Sequence, residues 1–206
     1  MDMVANLVEW YNRASLTQKK QGKTWYGEAH ALARSLSKTT KRDLPTVVGV
    51  LAALSPRCAW GDNVLGAISI LRTGKTPRKS PILSANLRKA KRIIDGEKPL
   101  DVLRGSKVLA FYENMLRPKN SRQVTIDIHA ARAAYNTTTL TKKQEGYVFR
   151  PKGNTELQVA YRKAARKYRL KPHKFQAIIW LTVRDSLRKK NDGQLHLYYT
   201  TEEVTL

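Results

Sequence analysis

Apolar residues recur at helical spacing almost from the start of the chain. Val4, Leu7, Val8 and Tyr11 fall on one side of a helix over residues 3–14. A basic, glycine-containing stretch, Lys19 to Lys23, then reads as a connector, and Trp25, Ala29, Leu32 and Leu36 mark a second helix. Pro45, after Asp43-Leu44, suits the first turn of a buried helix that runs to Leu54, where Ser55-Pro56-Arg57 breaks it. Asp62 or Asn63 is placed to cap a helix over Val64–Leu71, and residues 72–81 form a basic loop. Ser84 is expected to cap a helix with Leu87, Ala90 and Ile94 on one side and Arg88, Lys89 and Arg92 on the other.

Past a connector at Gly96–Leu100, Ser106 is expected to cap a helix over Lys107–Leu116. A basic linker, Arg117–Arg122, leads to Val124–Asp127 and a short helix ending near Tyr135. Residues 136–153 are polar and contain glycine, which predicts a loop. Asn154 or Thr155, with Gln158, suggests a capped basic helix to Leu170, and Pro172 opens a last helix to about Lys190. The tail from Gly193 alternates weakly and reads as a strand or as disordered. Strand signals are almost absent elsewhere and there are no internal repeats, so the expected fold class is all-α.

Composition bears on partners. The 206 residues carry a formal charge of +23, from 39 Lys and Arg against 16 Asp and Glu. Charge of this size does not select a fold; it attracts polyanions and releases counterions from phosphates. A single cysteine, Cys58, excludes an intramolecular disulfide and a thiolate cluster. Met1–Tyr11 carries acids and lacks the basic start of a signal peptide, and no apolar run approaches the ~20 residues of a membrane span. The expectation is an intracellular, monomeric protein of cytoplasm or nucleoid, or of host cytoplasm if viral, with no membrane partner.

Two residues stand out chemically. Asp127, in Val-Thr-Ile-Asp-Ile-His, places one carboxylate between isoleucines where a helix begins; it is either an N-cap or a partly desolvated acid. Lys107 sits on the first turn of a helix opened by Gly105-Ser106, where the macrodipole disfavours a cation. It could be an amine nucleophile, a phosphate contact beside outward N–H groups, or a solvated lysine. His129 is placed to orient Asp127, to contact a phosphate, or simply to pack. No second His or Cys stands at ligand spacing from it, so neither metal nor cofactor is expected. Arg57 lies on a loop between two apolar helices, with Cys58 and Trp60 expected in the core.

Taken in order, the Leu54–Arg57 loop, the helix bearing Arg88 and Lys91, Gly105-Ser106-Lys107 and Ile126-Asp127-Ile128-His129-Ala130-Ala131-Arg132 resemble the helix-hairpin-helix DNA glycosylases, which include endonuclease III and the 8-oxoguanine glycosylases. That family carries a G-x-K turn opening a helix and, about twenty residues on, a hydrophobic-D-x-H-x-x-R segment. Here the interval is 127 − 107 = 20 residues. The resemblance runs from about Pro45 to Leu187. Where members show two glycines in the hairpin, this chain has Leu103-Arg104-Gly105.

The resemblance implies a two-lobed helical fold with a cleft, one lobe over about 45–100 and the other over 101–135 with 1–44 and 155–190. Its partner would be double-stranded DNA, from which a damaged or modified base is flipped and excised. Asp127 would match the carboxylate that stabilises charge at the sugar C1′, and Lys107 the lysine that attacks it in bifunctional members, giving lyase activity. Arg57 would enter the duplex, with Gly105, Ser106, His129, Arg132, Arg88 and Lys91 as further DNA contacts. A base-modifying or group-transferring enzyme on the same scaffold, and a non-catalytic DNA-binding module, are the alternatives.

Overall fold

The structure, a computed structural model, describes residues 1–77 and 80–191, with side chains as far as Leu187. Every regular element among them is an α-helix: α1 (Met3–Arg13), α2 (Leu16–Thr40), α3 (Leu44–Leu54), α4 (Trp60–Thr73), α5 (Ser84–Ile94), α6 (Pro99–Val102), α7 (Ser106–Leu116), α8 (Ile128–Tyr135), α9 (Lys142–Val148), α10 (Pro151–Lys167) and α11 (Pro172–Asn191). The fold class is therefore all-α. The expected strand or disordered tail from Gly193 lies outside the described residues, as do Arg78 and Lys79 of the basic loop.

The described chain forms two compact units, divided within α2 at Gly27-Glu28 and again at Arg117-Pro118. These boundaries differ from those expected at 45 and 100. The reason is packing: α7 lies against α3, so residues 101–117 belong with α3–α6 rather than with α8.

One unit contains α1, the first part of α2 and α8–α11. Its centre is α8, an eight-residue helix whose Ala130, Ala131, Ala133 and Ala134 are all buried. Small side chains there let α1, α10 and α11 pack directly against it. Leu7 and Trp10 from α1, Leu157 and Tyr161 from α10, and Phe175, Ile179 and Val183 from α11 complete the core. In α2, Gly22 is no connector but a close-approach position. A Cβ there would stand 2.5 Å from Ile178 Cγ1 and 2.6 Å from its backbone. That contact explains why a Lys- and Gly-rich stretch is helical. Burial of the glycine face against α11 outweighs the propensity loss of about 1 kcal/mol.

The other unit is built on α3. Asp43 caps it by accepting the Thr46 N–H at 2.6 Å, and Pro45 occupies its first turn. Every residue from Val47 to Leu54 is buried, because α4, α5, α6 and α7 all pack on this helix. A helix apolar on all sides needs such a jacket.

Several expected caps are different in the structure. Asn63 lies inside α4, buried, and its Nδ2 donates to the Leu51 carbonyl at 3.0 Å; α4 starts at Trp60 with no side-chain cap. Ser84 is the first residue of α5 rather than its cap. Residues 136–153 are not a loop. They contain α9, opened by a capping box of Thr141 and Gln144, and the start of α10. Asn154, buried in α10, accepts from Gln158 Nε2 at 2.8 Å, and Pro151 opens that helix. Gly153 allows this packing, since a Cβ there would meet the Tyr147 carbonyl oxygen at 2.3 Å.

His173, on the first turn of α11, is fully buried, with Tyr26 edge-on at 5.5 Å. Burial, and then Lys174 and Lys171, lower its pKa to about 4, although the Ser121 and Pro118 backbone works the other way. The folded value lies below the ordinary 6.5, so the unfolded chain takes up a proton that the folded chain refuses. The stability this residue contributes is complete above pH 6.5 and lost as pH falls towards 4, by about 3 kcal/mol. Urea midpoints measured from pH 7 to 4 should show a steep acid limb that flattens in His173→Gln. Parallel limbs in the two proteins would mean that His173 does not drive the acid sensitivity.

Candidate nucleic-acid interface

The approach to α8 is an extended run in which Val124, Thr125 and Ile126 are buried, and the Thr125 hydroxyl shares a hydrogen bond with the Tyr26 hydroxyl at 2.8 Å. Asp127 ends the run in extended backbone and caps the helix, its Oδ1 accepting the Ala130 N–H at 2.8 Å. The next turn is held from α10, where the Tyr161 hydroxyl donates to the Ala130 carbonyl at 3.0 Å. Complete burial, reinforced by the negative charge of Asp127, drives the Tyr161 pKa well above the ordinary phenol value. Tyr161 therefore remains a neutral donor. Asp127 itself is half-buried, with Oδ1 committed to the cap and no hydrogen bond to Oδ2 among the described residues.

His129, also half-buried, lies edge-on to Trp180 of α11, with ring centroids 6.3 Å apart. Trp180 is 6.4 Å from Trp25, and the Arg184 guanidinium covers its ring at 4.7 Å. Asp185 pairs with Arg184 at 2.8 Å and accepts from Gln18 Nε2 at 2.8 Å. This aromatic and cationic cluster on the α8–α11 side of the unit was not foreseen. Trp25 and Trp180 are far apart in sequence, and Trp25 reads only as an apolar position of its helix. Arg132 occupies the last turn of α8, where a helix favours a cation, and its Nε is buried without a hydrogen-bond partner among the described residues.

In the α3 unit, α6 and α7 are joined by Leu103-Arg104-Gly105. Leu103 is buried, and Arg104 Nη1 donates to the Leu100 and Leu103 carbonyls at 3.0 and 2.9 Å, closing the turn with a side chain. Gly105 has φ +87° and is itself the N-cap of α7, so the cap expected of Ser106 is absent and Ser106 begins the helix. With no side chain bonded across them, the first-turn N–H groups of α7 form a site suited to an anion. Lys107, half-buried, stands on that turn. The helix is anchored by Ala110, Tyr112, Asn114 and Met115, and His30 Nδ1 meets the Met115 carbonyl at 2.9 Å.

Arg57 is exposed and has φ +56°, a left-handed conformation for a residue with a side chain. Two buried asparagines fix its loop. Asn86 Nδ2 donates to the Pro56 carbonyl at 2.8 Å, and Asn63 holds the end of α3. Neither role is visible in the sequence, where Asn63 reads as a candidate cap. Cys58 and Trp60 are half-buried rather than core, and burial with nearby Asp62 pushes the Cys58 thiol up to about 11. Arg88 is exposed. Lys91 is held by Asp95 and Arg92 by Glu97, so part of the basic face of α5 is internally neutralised. By contrast, Lys163, Arg166, Lys167 and Arg169 are exposed at the end of α10 and enter no ion pair among the described residues.

The predicted residues thus divide between the two units. Asp127, His129 and Arg132 belong to α8, whereas Lys107, Gly105, Ser106, Arg57, Arg88 and Lys91 belong to the α3 unit. Among the described residues no three His, Cys, Asp or Glu side chains gather as a metal site, and no helix is long and apolar enough to cross a membrane. No curated protein and no solved structure matches the chain. A family model does match, over residues 1–187, and its description is a family of unknown function, DUF7178. The chain belongs to that family.

Proposed function

We propose that this protein is a DNA-binding, base-flipping enzyme, most simply a monomeric DNA glycosylase of the two-lobed helix-hairpin-helix type. Affinity for duplex DNA would come from the charge of +23 and from the Gly105-opened start of α7, which suits a phosphate. The observation that carries the enzymatic reading is the carboxylate of Asp127, fixed through one oxygen and half-buried beside apolar residues. A carboxylate so placed stabilises positive charge at C1′ as the N-glycosidic bond breaks and its electron pair leaves with the base. Water then adds at C1′ and gives up a proton. In the bifunctional variant, the Lys107 amine adds instead, and loss of its protons with ring opening gives an imine.

The same hydrogen bond from Ala130 also favours a second reading, a non-catalytic DNA-binding module in which Asp127 is a cap and nothing more. The two are separable by substitution. Asn caps nearly as well as Asp, so Asp127→Asn should leave stability within about 0.5 kcal/mol, while Asp127→Ala should lose about 1 kcal/mol. Single-turnover excision from duplexes bearing a panel of modified bases should fall at least ~100-fold in Asp127→Asn, with binding preserved or tighter. Wild-type excision by the Asn variant would leave Asp127 as a cap only.

Borohydride should trap wild-type protein on a substrate duplex, and Lys107→Ala should lose that adduct while still binding. If the wild type excises base without an adduct, Lys107 is a phosphate contact. Its removal should then lower the log–log salt slope by about one unit. An adduct that persists in Lys107→Ala would assign the nucleophile to another amine.

A further inference from the structure

The segment between α8 and α10, read from sequence as a loop, instead builds a groove of about 510 Å³. Its walls carry Tyr135 from the end of α8, Lys142, Lys143 and Tyr147 from α9, and Arg150 ahead of α10. No carboxylate is among the lining groups, although Glu156 bonds the Tyr147 hydroxyl from behind them. Gly146 also lines it, and a Cβ at that position would meet nothing within 4 Å, so space lies open over α9 at this point.

The groove is held firmly. The Thr141–Gln144 capping box fixes the start of α9, Val148 is fully buried, and the Tyr147 carbonyl is in close contact with Gly153 of α10. Glu156 stands beside the Tyr147 hydroxyl and raises its pKa, which leaves Tyr147 a neutral, oriented ring. Phe149 adds an exposed aromatic side chain next to Arg150, 49 % accessible.

Two phenol rings and three cations around an open volume of this size match one chemical class, a planar base joined to a phosphate. A paired base inside a duplex offers no ring face, so the ligand is an unpaired nucleotide. We propose that the groove at Tyr135, Lys142, Lys143, Tyr147 and Arg150 binds a nucleotide of single-stranded nucleic acid, with the base on the tyrosine rings and the phosphate on the cations. This site is additional to the excision reading and does not depend on Asp127 or Lys107. Either proposal can fail without the other, because one is read by single-strand binding and the other by excision from duplex.

The test uses the full chain, with fluorescence anisotropy on an oligothymidylate of twelve nucleotides and on a duplex hairpin of equal phosphate count. Tyr147→Ala should weaken the single strand by about 5- to 100-fold and leave the duplex within about twofold. Tyr147→Phe keeps the ring, loses the hydroxyl facing Glu156, and should retain wild-type binding; failure to do so would overturn a stacking role. Lys142→Ala with Lys143→Ala should flatten the single-strand salt slope by up to about 1.4. Photocross-linking of a 5-iodouracil oligonucleotide to wild type should label the peptide bearing Tyr147. Equal losses on single strand and duplex, labelling confined to other peptides, or displacement of the oligonucleotide by phosphatidylserine vesicles from wild type but not from Tyr147→Ala would each overturn the proposal.

Discussion

The burial of α8 governs the unit that contains Asp127. A helix of eight residues has too few internal hydrogen bonds to stand alone, and its alanines offer little apolar area of their own. It persists because α1, α10 and α11 enclose it and because its ends are tied. Asp127 secures one end, and Asn136 closes the other in a left-handed conformation at φ +49°. Tyr161, the largest fully buried side chain, reaches across to satisfy the Ala130 carbonyl. The geometry of the candidate carboxylate is thus a product of packing around small side chains. Enlarging any of the four alanines would push a neighbouring helix away and move Asp127 with it.

The α3 unit follows a parallel logic with opposite means. There the central helix is bulky and apolar, and polar control comes from its neighbours. Asn63 and Asn86 are almost fully buried and spend their donors on backbone carbonyls, Asn63 on Leu51 in the last turn of α3 and Asn86 on Pro56 in the loop that follows. Buried amides of this kind fix loop shape because leaving such carbonyls unsatisfied is costly. Arg104 plays the corresponding part at the α6–α7 turn. Where the sequence offers one glycine in that hairpin, a guanidinium supplies the missing closure.

Much of this was legible from residues alone. The apolar run Val47–Leu54 behind Asp43 and Pro45 specifies α3, and the Asp-Ile-His-Ala-Ala pattern specifies a capped helix. What misled were residues whose local preference was overruled by contacts distant in sequence. Gly22 reads as a break but meets Ile178, and Asn154 reads as a cap but sits buried in α10. The polar stretch over α9 concealed a helix because its few apolar residues, Tyr147 and Val148, gain their burial from α10 rather than from a periodic face. The candidate residues were found by local chemistry. The aromatic cluster around Trp180 and the tyrosine-lined groove were not, since each is assembled from separate helices.

Arg57 illustrates how the fold trades robustness for a side chain. A left-handed backbone costs a residue with a Cβ about 1–2 kcal/mol that glycine escapes. Asn86 holds the loop at Pro56, immediately before it, and Asn63 holds the last turn of α3. Exposed as it is, the guanidinium gives little packing in return. A chain selected for thermal endurance alone would put glycine there. Lys41 and Arg169 adopt the same left-handed backbone, so this chain accepts such strain at several of its turns.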